Sequence, residues 1–412
     1  MKIRKSLVIR LGFLIFLPFL IYSCKKSNSS VVNPPEPIPI PVAPTIKPTL
    51  LEIKTWLVDK NVNDETAILF YNLKTIAKTN TLFGHQDDTF SGYSWSREAG
   101  RSDVKEVTGS YPALYGWDFL NIASFQQNSY FVNYTNDARV KVIEAYKRGG
   151  VNTFSWHYWN PVTSVASTNG NNGVNKSFNY ADEPVIAVSA ILPGGSKHSV
   201  FKASLVQVAD FLKSLQADGK SIPVIFRPFH EFDGTWFWWG SSYCTPSEYK
   251  ELYKFTVTYL RDVLQVHNVL FAWSPDRGFN SEMQYLERYP GDDYVDIVGT
   301  DNYYDLRPGT SLSVASQKFQ IVSAYAMKKN KVAALTETGL NKITQSDWFT
   351  QVLLKSLQLQ KVEFAYVMIW SNRSDEYFTP YKGHPAESDF IKFKNDPYLI
   401  FEDKLTDIYK LK

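Results

Sequence analysis

Short apolar runs alternate with amphipathic stretches of helical character along most of the chain, and this alternation restricts the folds open to it. Eight runs have the length and composition of buried strands: 82–85, 113–119, 152–157, 223–229, 269–274, 296–301, 332–337 and 364–370. Helical stretches stand between most of them: 138–148, 201–216, 246–266, 314–329 and 346–360. Near-continuous apolar strands separated by helices are typical of a parallel sheet that helices cover. The pattern predicts an α/β fold, a (β/α)8 TIM barrel; a doubly wound open sheet is the alternative, although no glycine-rich phosphate loop follows any run.

Polar and aromatic residues gather at the carboxyl ends of the predicted strands. The first strand ends in the segment 84–88, the third in 155–160 and the fourth in 227–239, and eight of the 11 tryptophans lie at or just after a strand end. In a (β/α)8 barrel the functional side chains come from these ends. The distribution therefore predicts a site lined with aromatic rings at the carboxyl-terminal face of the barrel.

Two carboxylates at predicted strand ends have unusual surroundings. Glu231 lies between His230 and Trp236 on the fourth strand, and Glu337 lies in the small and apolar segment 333–339 on the seventh. A carboxylate among aromatic rings loses water, which raises its pKa and suits a general acid. Flat aromatic faces also stack on sugar rings. Two such carboxylates indicate a glycoside hydrolase, whereas a solvated rim residue or an ion pair is the alternative for each.

Three of the six histidines, His85, His157 and His230, fall on the first, third and fourth predicted strands. They could bind zinc together, but their strands are not all neighbours and no HExxH spacing is present. A role as hydrogen-bond donors to sugar hydroxyls and to the two carboxylates explains these histidines better. Trp370, at the end of the eighth strand, is either a core residue or, as its two polar successors favour, a platform for a sugar ring. Three aspartates stay open between calcium binding and hydrogen bonding: Asp87, Asp88 and Asp118.

The motifs at these strand ends together resemble glycoside hydrolase family 26, which is best known for endo-β-1,4-mannanases. The resemblance rests on Phe-Gly-His-Gln-Asp at 83–87, Trp-His at 156–157, Arg-Pro-Phe-His-Glu at 227–231 with Trp236, and Thr-Glu at 336–337, in this order. It implies a retaining enzyme that hydrolyses mannan, glucomannan or galactomannan without a metal or cofactor. Other β-glycans that the same family degrades, such as β-1,3-xylan and mixed-linkage β-glucan, are alternatives, as is a membrane-tethered sugar-binding protein without activity.

The resemblance also implies a role for each residue. Glu231 would be the general acid/base and Glu337 the nucleophile of a two-step mechanism. The other positions would bind substrate or hold the two carboxylates: His85, His157, His230, Trp236, Tyr303 and Trp370. Within this set, Tyr303 would hydrogen-bond the nucleophile, and Trp370 would form the floor under the sugar that precedes the scissile bond.

One position departs from the family pattern. Some mannanases of the family have an arginine directly after the tryptophan of the eighth strand. Here Ser371 follows Trp370, and the nearest arginine is Arg373. The departure predicts weak binding of short oligosaccharides and an endo-acting enzyme that needs several occupied subsites.

The first 50 residues predict export and membrane attachment. Four basic residues within the first ten precede the apolar run 11–22, which is short and early for a transmembrane helix. Ser23 and Cys24 then resemble a bacterial lipoprotein processing site, so residues 1–23 are predicted to be a signal peptide and Cys24 the lipid attachment site. The Pro- and Ser-rich segment 24–50 reads as a tether, and 51–412 as the catalytic domain. The expected location is the outer membrane, on either face.

Charge and cysteine content exclude other classes. The 44 basic and 41 acidic residues leave a net charge of +3 and form no basic stripe, which argues against a nucleic-acid partner. Cys244 is the only cysteine besides Cys24, so the exported domain has no internal disulfide and its stability comes from packing.

Overall fold

The computed structural model describes residues 47–126, 128–164 and 174–411. The predicted signal peptide, Cys24 and nearly all of the predicted tether lie outside the described residues. Within the described ranges, no helix is both long and apolar enough to cross a membrane.

Eight parallel strands close into a barrel, which confirms the predicted (β/α)8 fold. The strands are β1 (Thr81–Gln86), β2 (Leu114–Asp118), β3 (Val151–Trp156), β4 (Val224–Pro228), β5 (Val269–Trp273), β6 (Ile297–Asp301), β7 (Val332–Thr338) and β8 (Phe364–Ile369). Each strand pairs with the next one along the chain, and β8 pairs with β1 to close the sheet, with Leu82 opposite Tyr366. A short strand, Leu399–Ile400, adds to the beginning of β1.

Helices precede, separate and follow these strands along the chain. They are α1 (Leu50–Trp56), α2 (Asp64–Ile76), α3 (Asp103–Thr108), α4 (Ser129–Lys147), α5 (Val188–Ile191), α6 (His198–Ser214), α7 (Pro246–Thr258), α8 (Glu282–Tyr285), α9 (Leu312–Lys328), α10 (Lys355–Leu359) and α11 (Glu387–Asn395). Two π-helical turns, Tyr259–Val263 after α7 and Phe349–Leu354 before α10, interrupt stretches that the sequence predicted as single helices. α7 begins with a capping box, in which Thr245 and Glu248 each bond the backbone of the other, and Pro246 stands at its first position.

The barrel interior is filled by alternate strand residues. Leu82, Leu114, Ile225, Leu270 and Ile297 belong to one buried cluster. That cluster also contains residues of α1 and α2, so these two helices cover the amino-terminal end of the barrel. With one end packed, the carboxyl-terminal end is where polar side chains reach solvent, as the fold predicts.

Candidate active site

A cleft of about 770 Å³ lies over the carboxyl ends of the barrel strands. Six of the eight residues that the sequence predicted for the site line it: His157, Glu231, Trp236, Tyr303, Glu337 and Trp370. These side chains are up to 213 positions apart in the sequence. They meet in the structure because the parallel strands all end at one face of the barrel.

Glu231 is presented by a strained turn directly after β4. Phe229 and Glu231 have φ angles of 51° and 52°, a left-handed conformation that is uncommon outside glycine. The backbone N–H of Glu231 donates to the carbonyl oxygen of Ser274 at 3.0 Å, which ties the turn to the end of β5. Strain of this kind persists where the surrounding structure over-determines the backbone, as it often does at active sites.

The Glu231 carboxylate is buried and accepts a hydrogen bond from Nε1 of Trp236 to Oε2 at 2.7 Å, the one side-chain donor that it has among the described residues. Burial, followed by the negative charges of Glu337 and Asp301, raises the pKa of Glu231 well above that of an exposed glutamate. The hydrogen bond from Trp236 acts in the opposite direction. The net result is a carboxyl group that holds its proton, which is the state that a general acid needs.

Only one of the three tryptophans that follow Glu231 reaches the cleft. Trp236 is 39% exposed, whereas Trp238 and Trp239 are fully buried. The two buried indoles donate to the backbone oxygens of Tyr158 and His230, both at 2.8 Å. These two rings therefore support the turn from behind and do not stack on a substrate.

Glu337 reaches the cleft because β7 contains a bulge. Thr300 pairs with Leu335, but Asp301 pairs with Glu337, so Thr336 is an extra residue in the ladder. Thr336 still bonds the end of β6, since its hydroxyl donates to Oδ1 of Asp301 at 2.6 Å. A bulge beside an active site re-aims the side chain that follows it, and here that side chain is Glu337.

Two donors hold the Glu337 carboxylate. The hydroxyl of Tyr303 donates to Oε1 at 2.7 Å, and Nη2 of Arg227 donates to Oε2 at 2.5 Å. Burial raises the pKa of Tyr303 well above that of a free phenol, so its hydroxyl stays a donor. Nη1 of the same guanidinium donates to Oδ2 of Asp301 at 2.5 Å. One buried cation therefore lies between two buried carboxylates and offsets part of their negative charge.

His157 lines the cleft and is oriented by Asp118. Its Nδ1 lies 2.6 Å from Oδ2 of Asp118, which also accepts from the hydroxyl of Ser155 at 2.6 Å. Because the carboxylate fixes Nδ1, Nε2 of His157 is the ring atom left for a ligand. Asp118 therefore acts as a hydrogen-bond partner, one of the two alternatives left open for the aspartates.

His230 lies beneath the cleft wall rather than in it. Its ring is fully buried, 4.6 Å from that of His157 between centroids, and packs on Phe237 at 5.3 Å. Burial, with the positive charge of Arg227, lowers the pKa of His230 well below its usual value, so the imidazole is neutral. Neither ring nitrogen has a hydrogen-bond partner among the described residues.

His85 does not reach the cleft. The ring is fully buried at the end of β1, with Nδ1 2.9 Å from Oδ1 of Asp88 and Nε2 3.3 Å from the hydroxyl of Thr379. Both ring nitrogens are engaged inside the protein, so the arrangement supports loop packing and does not support the predicted contact with a sugar. Asp88, like Asp118, is a histidine partner.

The loop after β8 brings Arg373 to the cleft. Trp370 lines the cleft with its ring 5.8 Å from that of His157. Ser371 is buried, whereas Arg373 lines the cleft. The turn is shaped by Asn372, whose side-chain oxygen accepts from the backbone N–H groups of the residues that return past it, Phe378 and Thr379. The cleft therefore does contain a guanidinium from this loop, at a different position from the one the family pattern predicted.

The zinc alternative for His85, His157 and His230 finds no support among the described residues, where these three rings do not form a set with ligand atoms close enough to share an ion. Another set, His230, Asp301 and Glu337, has ligand atoms within 4.8 Å of one another in the described part of the chain. The guanidinium of Arg227 already bridges the two carboxylates of that set. The position between these carboxylates is thus already occupied by a cation of the protein itself.

Sequence reasoning missed the roles of Arg227 and Asp301. A signal was present, since Arg227 is the one charged residue of the otherwise apolar strand β4 and a buried charge requires partners. The partners lie on β6 and β7, and no spacing rule connects those strands with β4. Only the closed barrel shows that the three side chains meet.

Comparison with known proteins places these features in a family. The model of "Glycosyl hydrolase family 26" matches residues 58–403. A curated relative named mannan endo-1,4-beta-mannosidase, from Bifidobacterium adolescentis, is 36% identical over 359 residues, which are 81% of this chain and 34% of that protein. A relative of the same name from Bacillus subtilis is 31% identical over 64% of this chain and 66% of its own length. The chain thus spans about a third to two thirds of the length of these relatives.

Solved structures agree with the sequence comparisons. GH26C from Muricauda sp. MAR_2010_75 is 40% identical with a TM-score of 0.82, covering 89% of this chain and 99% of that one. A GH26 beta-mannanase from Bacteroides ovatus is 37% identical with a TM-score of 0.76, covering 84% and 98%. A shorter match, 30% identical over 169 residues that make up 33% of this chain and 18% of that protein, is to Endoglucanase H of Acetivibrio thermocellus. The fold, the cleft and the family match agree, and the chain belongs to glycosyl hydrolase family 26.

Proposed function

We propose that this protein is a retaining endo-β-1,4-mannanase, in which Glu231 is the general acid/base and Glu337 the nucleophile. The observation that carries the proposal is that two carboxylates in one cleft have different surroundings. Glu231 is buried with a single donor and a raised pKa, whereas Glu337 is held by Tyr303 and by the cation of Arg227. One site thus holds a proton donor beside a carboxylate stabilised as an anion, which is the pairing that retaining glycosidases use.

In the first step, the carboxylate of Glu337 attacks the anomeric carbon of the sugar while Glu231 protonates the oxygen of the leaving group. The glycosidic C–O bond breaks, and an ester bond to Glu337 forms. Trp370 provides a ring under this sugar, and Nε2 of His157 faces the same space. Arg227 occupies Oε2 of Glu337, so Oε1 is the oxygen that attacks the sugar. Tyr303 bonds Oε1 in this structure and must release or share it during the attack.

In the second step, Glu231 is ionised and takes a proton from water, which attacks the same carbon and releases Glu337. The pKa of Glu231 falls in the intermediate because Glu337 is then an uncharged ester, and the negative charge that raised it is gone. The same carboxyl group can therefore act as acid and then as base. The product keeps the β configuration.

The preference for mannan rests on the relatives and structures whose names carry it. The experiment is a reducing-sugar assay on galactomannan, glucomannan, β-1,3-xylan and mixed-linkage β-glucan, together with viscosity. We expect the highest kcat/KM on mannans and a fall in viscosity that precedes most of the reducing-sugar release, as in an endo-acting enzyme. Release of disaccharide with unchanged viscosity would contradict endo action.

A second substrate class has one observation in its favour. The match to Endoglucanase H covers 169 residues of this chain. Activity on β-glucan that exceeds activity on mannan would make this chain a β-glucanase of the same family, with the same two carboxylates.

We also infer that the protein is a lipoprotein of the outer membrane, made of a signal peptide (1–23), a tether (24–50) and the catalytic domain (51–412). The basic residues, the apolar run 11–22 and Cys24 support this, as do seven prolines between positions 34 and 48. Mass spectrometry of the mature amino terminus tests it directly. Cys24→Ala is expected to move the protein from the membrane fraction to the soluble fraction, and membrane retention of that variant would contradict lipid attachment.

A further inference from the structure

The loop after β6 places a guanidinium against the cleft that the two chemical steps do not use. Arg307 lines the cleft beside Pro308. Its side chain has no ion pair and no hydrogen bond within residues 47–126, 128–164 and 174–411. Its guanidinium lies over the ring of Tyr304, 4.6 Å from the guanidinium carbon to the centroid. All of its donors are thus available to a ligand.

The local backbone explains this contact. Tyr304–Leu306 forms a 3₁₀ turn, closed by the backbone N–H of Arg307, which donates to the carbonyl oxygen of Tyr304 at 3.3 Å. In a 3₁₀ turn, side chains three positions apart lie one above the other. The turn therefore stacks Arg307 on Tyr304, which favours the cation electrostatically and limits its freedom.

The turn itself is anchored from beneath. Arg277 also contacts the Tyr304 ring, at 3.9 Å, and lies 3.7 Å from the carboxylate of Asp305. Asp305 is buried and accepts from Nζ of Lys318 at 2.7 Å. The aromatic ring behind Arg307 is consequently held between its own turn, which the buried Asp305 anchors, and the partly exposed Arg277, so the guanidinium is positioned before any ligand arrives.

The chemistry of this group selects its ligand. A guanidinium donates and does not accept, and its planar fork suits two adjacent oxygen acceptors. In a neutral β-glycan these acceptors are neighbouring hydroxyl oxygens on one sugar ring. Because one face of the Arg307 guanidinium lies on the ring of Tyr304, the N–H donors at the edge of the guanidinium are the ones open to the cleft.

The position of the loop indicates which sugar is bound. Glu231, on β4, protonates the oxygen that departs with the leaving group, so the leaving-group sugars lie on the β4 side of the cleft. The two side chains that the proposed mechanism places at the attacked sugar, His157 and Trp370, follow β3 and β8, on either side of β1 and β2. In the closed barrel β6 stands opposite β2, so the loop after β6 faces the attacked sugar from the leaving-group side. We propose that Arg307, stacked on Tyr304, binds the hydroxyls of a leaving-group sugar of the β-mannan chain. The proposal rests on the proposed function for the identity of that sugar.

The test compares two substrates that differ on the leaving-group side. Mannotetraose and longer oligosaccharides place sugars there, whereas an aryl β-mannobioside places only an aromatic ring without hydroxyls. We expect Arg307→Ala to lower kcat/KM on the oligosaccharides by about tenfold or more, the usual size of a lost hydrogen bond to a charged group, and to change the aryl rate less than about twofold. Tyr304→Ala is expected to show the same selectivity, because it removes the ring that positions Arg307.

Arg139→Ala is the matched control, since Arg139 lies 5.6 Å from the ring of Phe211 on the outside of the barrel. It should leave both rates unchanged. A further readout is transfer of the glycosyl group to added mannobiose, which should decrease in Arg307→Ala relative to hydrolysis.

Two outcomes overturn the proposal: an equal loss on both substrates, and no loss on either. Failure of the proposed function looks different, because the wild-type protein would then hydrolyse neither mannan nor the aryl mannobioside. In that case an oligosaccharide and an aryl glycoside of the polymer that the protein does hydrolyse replace the two mannosides. The loss of kcat/KM in Arg307→Ala on the first, relative to the loss on the second, then decides the role of Arg307.

Discussion

Nη2 of Arg227 lies 2.5 Å from Oε2 of Glu337, so the strand that leads to the proposed acid/base also supplies the counter-charge of the proposed nucleophile. The same guanidinium reaches Asp301 on β6. Three strands are therefore joined by one buried cation, and both carboxylates of the mechanism depend on the position of β4.

Replacing this cation is expected to be costly for stability. Arg227→Met leaves the buried carboxylates of Asp301 and Glu337 without a counter-charge, and breaking a buried pair in this way costs about 3–5 kcal/mol. Chemical denaturation measures the difference. Arg277→Met is the control, because the Arg277 side chain is 36% exposed and its carboxylate contacts are 3.7–4.0 Å long, so its loss should cost less than about 1 kcal/mol. Equal losses in the two variants would contradict the role given to Arg227.

Tyr303→Phe removes the donor to Oε1 of Glu337 with little change in volume. A hydrogen bond to a charged group contributes about 1.5–3 kcal/mol, so kcat should fall by about 10- to 100-fold. Steady-state kinetics on mannan and on an aryl mannobioside should both show the fall, because the nucleophile serves both substrates. Tyr304→Phe, one position away, keeps the ring beneath Arg307 and should be close to wild type; a similar fall there would indicate a general effect on the loop.

Trp236→Phe should change the pH dependence in a defined direction. The indole N–H stabilises the ionised form of Glu231, so its removal raises the pKa of that carboxyl group further. Because the acid must be protonated, the alkaline limb of kcat/KM against pH reports this pKa and should move to higher pH. Trp56→Phe, at a partly exposed tryptophan of α1, is the control. A shift to lower pH would contradict the assignment of Glu231 as the acid.

The two histidine–aspartate pairs should respond differently to mutation. His157→Ala removes a ring that lines the cleft, and we expect a large loss of kcat/KM with a small change in the free energy of unfolding. His85→Ala removes a fully buried ring and leaves Asp88 without this partner, so its main effect should be on stability. Parallel measurement of kinetics and unfolding separates the two. A selective loss of substrate affinity in His85→Ala would restore the sugar contact predicted from the sequence.

The barrel could be predicted from the sequence because its strands are buried on both faces and read as continuous apolar runs. Each of the eight predicted strands overlaps an observed one, as in 332–337 for Val332–Thr338. The helices α1 and α2 were not predicted, since they precede the first strand and the alternation gave no place for them. The π-helical turns were also missed, because their apolar pattern is close to that of an α-helix.

The site was predictable in its residue types but not in its connections. Glu231 and Trp236 are five positions apart and could be paired from the sequence alone. The bulge at Thr336 could not be predicted from the sequence, although it decides that Glu337 faces the cleft. Likewise, nothing in the sequence distinguishes Trp236, which reaches the cleft, from Trp238 and Trp239, which are core. Burial by distant strands decided each of these cases.

In the proposed mechanism, Glu337 forms the covalent bond and Glu231 supplies and removes the proton. Its most direct test is the anomeric configuration of the product that Glu231→Ala forms from a dinitrophenyl β-mannobioside in the presence of azide. Without the general base, the glycosyl ester on Glu337 should accumulate, and azide should attack it from the face that water uses. We expect β-mannobiosyl azide in the NMR spectrum of the products. An α-azide from this variant, or no rescue by azide, would contradict this mechanism.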